Sequence, residues 1–434
     1  MPEFDVVVIG GGTAGAPAAI AAARMGMKTL VIEQQNSLGG TQTQGWVTPM
    51  MPNYLGDFKL NRGLNLEINE RLARRNVPGD GVVHGDVWYD PLTLAVVLDE
   101  MAAEARVRCF FGASLLSAET DNNRIRSAKV LCRNELIEIT ASQWIDATGD
   151  AVLSSAAGAE VVSGDEDGWN QPMTLRFFMG NINLAVLTER LDIWRTKASG
   201  FYEAGFGEAT DSNLAPMIAD AISKGILQEG DLGYFQVFSV VGRPNELAFN
   251  CPRIAGLDPM DPVQFSLALQ VGRAKIDRIA RFVKAYFPGC QQAFVSGVAP
   301  MMGIRESRRV IGEYYLTGED HARARKFPDP VARNRYPIDI HREKGITHER
   351  YPEYEFHDIP YGCVVAKGLQ NLWVAGRCCS ADFVAQSAIR IQPVCRALGE
   401  AAGVAAALCR EKNLSAKDLP YVLLEPHLDL SLPG

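Results

Sequence analysis

The chain has 434 residues, of which 47% are apolar and 22% charged, a composition typical of a globular protein with two or three domains and a sizeable core. A net charge of −8 argues against nucleic acid as the main partner. No apolar stretch approaches the roughly 18 residues of a membrane span. Nine scattered cysteines without a CxxC pair favour a reducing, cytoplasmic compartment over a disulfide framework, and no metal site is expected.

Residues 6–33 have the pattern of a dinucleotide-binding βαβ unit. An apolar strand leads into GGGTAG, an alanine-rich helix follows, and the strand KTLVIE ends at Glu33. We expect Gly10 to make the turn, Gly12 to admit a pyrophosphate, and Gly15 to let helix pack on strand. Glu33 is predicted to bind a ribose hydroxyl and to disfavour a 2′-phosphate, so NADP is not expected. A glycine-rich turn in an ordinary α/β domain is the alternative.

The segments that follow this unit are predicted to contain a loop, helices and strands. The loop NSLGGTQTQGWV after Glu33 has neither helical nor strand periodicity, which is typical of a segment that wraps a ligand. A helix is predicted over 90–105, with Asp90 as N-cap and Pro91 in the first turn. The pattern also predicts a helix over 64–76 and strands in RVRCFFGASLLSAET, RIRSAKVLC and LIEITASQWIDAT.

The middle of the chain, residues 165–360, has a different pattern. Helices are predicted near 184–198, 213–225 and 261–286, alternating with strands such as TLRFFMG, YFQVFSVV and ELAFN. This mixture indicates a second domain inserted into the first. Beyond 362, the strand NLWVAGR and the small-residue helix RIQPVCRALGEAAGVAAALC resemble the opening unit. Both ends of the chain are therefore expected to build one nucleotide-binding domain.

Four sequence blocks point to a family. They are GGGTAGAPAAIAAARMGMKTLVIE with LGGTQTQG, then WIDATGDA, then GIRESRRVIGEYYLT with YPIDIH, and last IPYGCVVAKGLQNLWVAGRCCSADFVAQSAIRIQPVCRALGEAAGVAAAL. With these blocks in order from residue 4 to about 410, the chain resembles the FAD-dependent oxidoreductases distantly related to the fumarate reductase and succinate dehydrogenase flavoproteins. The resemblance implies FAD as cofactor and an α/β fold. A Rossmann-like FAD-binding domain of the glutathione reductase type would comprise residues 1–160 and 361–434, with an α+β substrate or cap domain inserted at 161–360.

The resemblance also implies a set of cofactor-binding residues. The glycines of the first loop would hold the pyrophosphate, and Glu33 the adenosine ribose. The last helix would open toward the flavin pyrimidine, where its N-terminus stabilises negative charge. The implied FAD-binding residues are Gly10, Gly12, Thr13, Ala14, Gly15, Glu33, Gln34, Gly40, Thr41, Gly149, Asp150, Gly376, Arg377, Ile391 and Gln392. Plain turns at Gly40 and Gly149, and a surface charge at Arg377, are the alternatives.

Histidine and tyrosine supply the candidate proton-transfer groups, because a flavin itself provides the hydride chemistry. His341 ends the block YPIDIH after a loop-rich, arginine-dense run, and the near-neutral pKa of histidine suits proton transfer. His84 is a second candidate for the same cleft, and Tyr361 is a candidate proton donor or stacking partner. A structural or solvated histidine and a core tyrosine are the alternatives.

Arg305, in GIRESRR, is the candidate for holding a substrate carboxylate or oxyanion bidentately, and an internal salt bridge with Glu306 or Asp339 is the alternative. The adjacent Cys378 and Cys379 lie beside a cofactor block. Packing, redox activity and covalent flavin attachment are three interpretations of this pair. Packing is favoured, because a buried thiol behaves as a small hydrophobic group.

These observations predict an FAD-dependent oxidoreductase that transfers hydride or electrons between a small organic substrate and flavin. The alternatives are a monooxygenase or oxidase that uses O2, a flavin enzyme without net redox change, and a protein that merely carries FAD. Fumarate or succinate is not expected as substrate, because the full set of dicarboxylate-binding motifs of fumarate reductases is not found. No second complete GxGxxG loop is present, so a reductase or electron-transfer partner is left open, as is a homo-oligomer.

Overall fold

Two β-sheets with helices packed on them form the framework of the protein. A computed structural model describes residues 3–75, 82–83, 86–194, 196–198, 201–206, 212–342, 346–349 and 355–432. The predicted cleft residue His84 lies outside these ranges. The elements up to residue 163 are β1 (Glu3–Ile9), α1 (Gly15–Arg24), β2 (Thr29–Glu33), β3 (Tyr54–Leu55), β4 (Phe58–Lys59), α2 (Gly63–Arg75), β5 (Val82–Val83), β6 (Asp86–Val87), α3 (Pro91–Glu104), β7 (Arg108–Phe111), β8 (Ala113–Asp121), β9 (Arg124–Cys132), β10 (Glu135–Asp146), α4 (Val152–Ala156) and β11 (Val161–Ser163).

The remaining elements follow in chain order. Up to residue 298 they are β12 (Met173–Thr174), β13 (Phe177–Gly180), α5 (Leu184–Arg190), β14 (Thr196–Ala198), β15 (Phe201–Phe206), α6 (Ala215–Ser223), β16 (Phe235–Val240), β17 (Arg243–Phe249), β18 (Arg253–Ile254), α7 (Pro262–Tyr286) and β19 (Phe294–Val298). Beyond it they are β20 (Arg308–Val310), α8 (Gly318–Ala322), β21 (Pro330–Asn334), β22 (Ile338–His341), β23 (Ile346–Glu349), β24 (His357–Pro360), β25 (Leu372–Val374), α9 (Phe383–Ile389), α10 (Gln392–Lys412) and α11 (Tyr421–Leu424).

The first sheet is built around the predicted βαβ unit. Its strand order is β7–β2–β1–β10–β9–β8. Strands β7, β2, β1 and β10 run parallel, and β25 pairs parallel with the second half of β10. Strands β9 and β8 are antiparallel additions. The chain thus leaves this sheet after β10 and returns to it at β25, so both ends of the sequence contribute to one sheet.

The second sheet is antiparallel, with the order β14–β15–β16–β17–β13–β19. Its side chains alternate between two hydrophobic cores, because successive residues of a strand point to opposite faces. Phe177 and Phe249 stack at 4.7 Å in the core that α7 covers. Phe178 and Ala248, their neighbours in sequence, join the core of the first sheet. The second sheet therefore packs against the core of the first sheet through the face that carries Phe178 and Ala248.

Two of the local predictions have clear outcomes. The cap of α3 is confirmed, since the Asp90 carboxylate accepts hydrogen bonds from the backbone N–H groups of Leu92 and Thr93. The helix predicted near 184–198 is wrong beyond its first half. It ends at Arg190, and Thr196–Ala198 pairs as a strand with β15. Pairing with the next strand along the chain overrides local helical periodicity there.

Neither a membrane-spanning helix nor a metal-binding cluster is found within the described ranges. No helix there combines the length and the hydropathy needed to cross a membrane. The same ranges contain no group of three or more His, Cys, Asp or Glu side chains arranged to hold a metal ion.

Helices α1 and α10 meet backbone to backbone. A Cβ atom added to Gly399 would lie 2.0 Å from the Ala14 carbonyl oxygen, and one added to Gly403 would lie 2.1 Å from that of Ala18. Only glycine permits this approach, which explains the glycines at these two positions of α10. The contact attaches the C-terminal segment to the opening βαβ unit.

Glu400, which is also on α10, caps the first turn of α2 although it is 336 residues away in sequence. Its Oε2 atom accepts a hydrogen bond of 2.9 Å from the backbone N–H of Leu64, in the first turn of α2. Burial raises the pKa of this carboxyl to about 7, although the Leu64 bond opposes the shift. The folded protein therefore binds this proton more tightly than the unfolded chain does.

We expect Glu400→Gln to remove part of the pH dependence of stability. A folded-state pKa raised from 4.5 to about 7 makes this residue's contribution full below pH 4.5 and lost as the pH rises through 7. Its slope is at most about 1.4 kcal/mol per pH unit. Urea unfolding of the holoprotein at pH 5, 6, 7 and 8 should show a shallower decline for Glu400→Gln than for the wild type. Equal slopes would contradict the assignment.

Candidate functional site

A cleft of about 1020 Å³ runs along the carboxyl edge of the first sheet and continues against the second sheet. Ile9 and Ile32, at the ends of β1 and β2, line it, as do Ala147 and Ala375, which follow β10 and β25. Residues of β15 and β16 line the other end. The volume is at the top of the ~300–1,000 Å³ range of ligand clefts, and this edge is where open parallel sheets bind ligands.

The glycine loop that follows β1 leaves one face open to the cleft. Gly10 has φ +91°, and a Cβ atom added to Gly15 would lie 1.8 Å from the Gly10 carbonyl oxygen. At Gly12 the nearest atom to an added Cβ is Gly40 Cα at 3.8 Å, and Gly12 lines the cleft. No side chain caps the first turn of α1. Thus Gly10 and Gly15 serve the turn and the packing, whereas Gly12 keeps space open beside an uncapped helix N-terminus.

Glu33 is a buried carboxylate at the end of β2 that lines the cleft. It accepts hydrogen bonds of 2.7 Å from the backbone N–H groups of Gly11 and Gln35, one on each oxygen. Burial raises its pKa, while these two bonds oppose the shift. Each carboxylate oxygen can accept a second hydrogen bond, so Glu33 orders the glycine loop and still has acceptor capacity for a ligand hydroxyl.

Asp150 and Arg377 form an ion pair in the wall of the cleft. Asp150 Oδ1 accepts from Arg377 Nη2 at 2.8 Å and from Ser307 Oγ at 2.6 Å, and Arg377 Nη1 donates to the same hydroxyl at 2.8 Å. A Cβ atom added to Gly149 would lie 2.8 Å from Arg377 Nη2. Arg377 is therefore a paired, half-buried group rather than the surface charge weighed as an alternative. Ser307 was not predicted from the sequence.

The remaining predicted cofactor residues fall on the same cleft. Gln392 donates to the Pro49 carbonyl at 2.8 Å and accepts from the Met51 N–H at 3.2 Å, so it anchors the loop after β2 to the start of α10. The helix begins without a side-chain cap at Ile391. The others that line the cleft are Thr13, Ala14, Gln34, Gly40, Thr41 and Gly376. Thus residues distant in sequence converge on one surface.

His341 lies in the distal half of the cleft with both ring nitrogens engaged. Nδ1 lies 2.6 Å from Arg253 Nη2, and Nε2 lies 3.2 Å from a carboxylate oxygen of Asp339. Since an arginine nitrogen can only donate, Nδ1 is the acceptor and Nε2 carries the proton. Burial, followed by the charge of Arg305, lowers the pKa of His341 to about 3. The imidazole is neutral at physiological pH.

Arg305 also lines the distal half and is 8% exposed. Its Nη1 donates to the Pro172 carbonyl and, at 2.8 Å, to Thr174 Oγ1. Burial, with the charges of Arg253 and Arg390, lowers its pKa to about 9. The salt bridges weighed as alternatives are formed by other arginines. Glu306 pairs with Arg309, and Asp339 pairs with Arg390.

Tyr361 and the cysteine pair lie away from the cleft. The Tyr361 hydroxyl donates to the Ala416 carbonyl at 2.8 Å and accepts from Trp373 Nε1 at 3.0 Å, in the first core. This position is that of the core tyrosine weighed as the alternative. Cys378 and Cys379 are fully buried free thiols that do not line the cleft, whereas Cys395, in the first turn of α10, does.

Sequence reasoning missed three charged residues of the distal half. Asp339 and Arg390 occur inside the quoted blocks YPIDIH and RIQPVC, and each lines the cleft. Arg176, 7% exposed, interrupts the apolar strand segment TLRFFMG. A lone cation in an otherwise apolar strand is a signal that could have identified Arg176, because burying an unpaired charge is costly.

Comparison with known families identifies the framework. The sequence profile of the FAD dependent oxidoreductase family matches residues 5–428. The chain belongs to this family. FAD is accordingly its cofactor, and the residues present fit that group: Gly12 keeps the loop open, the first turn of α1 is uncapped, and Glu33 retains acceptor capacity.

Individual relatives of this FAD dependent oxidoreductase match only part of its chain. Digeranylgeranylglycerophospholipid reductase of Thermoplasma acidophilum is 25% identical over 167 residues, which are 34% of this chain and 40% of that protein. Dihydrolipoyl dehydrogenase of Bacillus subtilis is 59% identical over 39 residues, 9% of this chain and 8% of that protein. The chain therefore spans less than half the length of either relative.

Solved structures share the fold. The p-nitrophenol 4-monooxygenase of Pseudomonas putida superposes with a TM-score of 0.50 at 12% identity, covering 99% of this chain and 84% of that one. GidA of Aquifex aeolicus gives a TM-score of 0.50 at 14% identity, with 98% and 67% covered. At these identities the likeness extends to the fold alone. The protein has the mixed α/β, Rossmann-like FAD-binding fold of flavoproteins.

We expect Glu33→Ala to weaken FAD binding by about 10–150-fold, because a hydrogen bond to a charged group contributes about 1.5–3 kcal/mol. The apoprotein should still fold, but less stably by roughly 1–3 kcal/mol, since the N–H groups of Gly11 and Gln35 lose their acceptor. Fluorescence titration with FAD and urea unfolding measure the two effects. Glu135→Ala, an exposed acid at the start of β10, is the matched control. Unchanged FAD affinity would place the ribose elsewhere.

Proposed function

We propose that this protein transfers hydride between a small organic substrate and FAD within the cleft. The proposal rests on the continuity of the cleft between the two sheets. One cleft contains the glycine loop and Glu33 at one end and Arg305 and His341 at the other. When bound, FAD supplies the hydride chemistry, so the chain's own side chains need only hold the two reactants and manage a proton.

The nucleotide half of FAD is assigned to the edge of the first sheet. Backbone N–H groups around Gly12 and the first turn of α1 would hold the pyrophosphate, and Glu33 would bind the adenosine ribose. Asp150 and Arg377 would contact the cofactor further along the cleft, and Ile391 with Gln392 would present the uncapped N-terminus of α10 to the flavin pyrimidine. These roles are supported by placement on the cleft and by the donors and acceptors available there.

The domain division belongs to the same proposal. Residues 1–160 and 361–434 would form the FAD-binding domain of the glutathione reductase type, and 161–360 an inserted substrate or cap domain. This division is supported by the return of the chain to the first sheet at β25. We also propose the distant kinship with fumarate reductase and succinate dehydrogenase flavoproteins that the sequence blocks suggest.

His341 is proposed to be a positioning residue. Its two ring nitrogens connect Arg253 to Asp339, and Asp339 in turn accepts from Arg390 Nη2 at 3.0 Å. A pKa lowered to about 3 by burial keeps it neutral, so it does not exchange a proton near pH 7 in this arrangement. Arg305, which lines the cleft, is proposed to hold an oxyanion of the substrate.

Anaerobic stopped-flow spectroscopy tests the function directly. Purified holoprotein is mixed with a panel of organic acids, alcohols and amines, and absorbance of the oxidised flavin is followed. At least one compound should bleach the flavin band within seconds. If none does, and reduced flavin also fails to return electrons to any oxidised counterpart, the oxidoreductase proposal is wrong. Peroxide measured after admission of O2 separates an oxidase from a dehydrogenase.

We expect FAD to be bound non-covalently, about one per chain. Cys378 and Cys379 are fully buried outside the cleft, and burial raises the pKa of Cys395, which keeps that thiol protonated. Acid precipitation should leave a colourless pellet and free FAD in the supernatant. A yellow pellet would contradict this expectation, and loss of the colour in Cys395→Ser would then identify the attachment point.

We expect His341→Gln to preserve most of the rate of flavin reduction, within about tenfold, and His341→Ala to lose about 10²-fold. A glutamine amide can accept from Arg253 and donate to Asp339, as the neutral imidazole does. Rates are measured from pH 5 to 8 with the best substrate of the panel. If both variants lose about 10²–10⁴-fold and the pH profile changes, His341 is the general acid or base instead.

A further inference from the structure

The distal half of the cleft carries an excess of buried positive charge. Four guanidinium groups, those of Arg176, Arg253, Arg305 and Arg390, lie near Tyr234 or Asp339, and within the described residues Asp339 is the carboxylate that lines this half of the cleft. Three of these arginines line the cleft, and Arg253 lies behind His341. The neutral histidine contributes no charge. Within the described residues, the three arginines that line the cleft therefore share one carboxylate, whereas buried cations require compensating negative charge.

Two of the arginines show this deficit individually. Arg176 donates to the Trp46 carbonyl at 3.2 Å and lies over the Phe238 ring, and among the described residues no carboxylate lies within ion-pair distance of it. Arg305 likewise donates to two neutral oxygens, those of the Pro172 carbonyl and the Thr174 hydroxyl, and forms no ion pair within the described ranges. Burial lowers the pKa of Arg176 to about 10, as expected of a cation without a counterion.

Arg390 adds an open donor. Its Nη2 atom contacts Asp339, but its Nε atom is buried and has no hydrogen-bond partner within the described part of the chain. An unpaired buried N–H costs about 1–3 kcal/mol unless a ligand accepts from it. Glu203 accepts from Gln236 and does not line the cleft. A bound carboxylate near this guanidinium would add an acceptor.

Apolar side chains continue the lining beyond the arginines. Phe265 and Leu269 lie one turn apart on the same face of α7 and both line the cleft. Met260 precedes that helix, and Phe206 ends β15 on the second sheet. A small hydrophilic anion would leave this surface uncovered by ligand. The cleft thus combines a cationic centre with an apolar wall.

We propose that the substrate is an organic carboxylate with an extended apolar body, its carboxylate held by Arg305 and Arg390 and its body lying along Phe206, Met260, Phe265 and Leu269. This inference rests on the proposed function, because it places that ligand in the same cleft as the flavin. The planar fork of each arginine matches a carboxylate, and the apolar wall selects for chain or ring carbon rather than for a polyol.

Three probes separate the parts of the inference. Octanoate has both the anion and the apolar body, acetate only the anion, and 1-octanol only the body. Calorimetry and the shift of the flavin band report binding to the holoprotein without requiring turnover. Octanoate should bind at least about 100-fold more tightly than acetate and at least about 10-fold more tightly than 1-octanol. Equal binding of octanoate and 1-octanol, or of octanoate and acetate, would overturn the proposal.

Variants locate the contacts. Arg305→Gln and Arg390→Gln should each weaken octanoate binding about 10–150-fold, with 1-octanol binding unchanged, whereas the exposed control Arg190→Gln should have no effect. Arg305→Lys, which keeps the charge, should fall between wild type and Arg305→Gln. Phe265→Ala should weaken octanoate about tenfold or more but not acetate, and Val263→Ala, 76% exposed on the same helix, should weaken neither.

The FAD content of each variant distinguishes the failures. In one outcome, the holoprotein contains one FAD per chain and a neutral compound of the panel reduces the flavin, but octanoate is not preferred. The proposed function would then stand and the carboxylate proposal would be overturned. Loss of FAD from Arg305→Gln and Arg390→Gln, with Arg305→Lys retaining it, would assign the arginines to the cofactor and also overturn it. Loss of flavin reduction with every compound would overturn the proposed function itself.

Discussion

The backbone contact between α1 and α10 is the constraint on which the site depends. Gly399 and Gly403 let α10 lie against the carbonyl oxygens of Ala14, the residue before α1, and of Ala18 within that helix. Because the glycine loop begins α1 and Gln392 begins α10, this contact brings the uncapped ends of both helices to one cleft. Larger side chains on either helix would separate the two ends of the chain and with them the two halves of the binding surface.

Buried polar groups then fix the walls of the cleft. Asp146, fully buried at the end of β10, accepts four hydrogen bonds from the backbone and side chains of Thr148 and Ser154. The loop it holds presents Asp150, which Arg377 and Ser307 engage from two other parts of the chain. Such satisfied networks are rigid, since breaking one bond leaves a buried polar atom without a partner. The nucleotide end of the cleft is therefore preorganised.

The distal end has the opposite electrostatic character. There, arginines from the segment between β12 and β13, the 300–305 segment and the turn before α10 line the cleft together with one aspartate, and within the described residues Arg176 and Arg305 form no ion pair. Concentrating like charges in a buried site opposes folding unless a ligand compensates. The contrast explains why one cleft can serve two reactants. A glycine-lined half with an acid and an ion pair suits a nucleotide, and an arginine-rich, apolar-walled half suits a different molecule.

The sequence by itself determined the opening βαβ unit, the cap at Asp90 and the return of the C-terminal segment to the first sheet, because glycine spacing, capping residues and apolar runs act over neighbouring positions. It also identified Arg305 and His341 as side chains of interest. Only the tertiary structure decided that Tyr361 belongs to the core, that His341 is held neutral between Arg253 and Asp339, and that Arg176 and Arg390 join the site. Burial and pairing depend on groups far apart in sequence, 88 residues for Arg253 and His341 and 55 for Tyr361 and Ala416, and no local pattern indicates which of them meet.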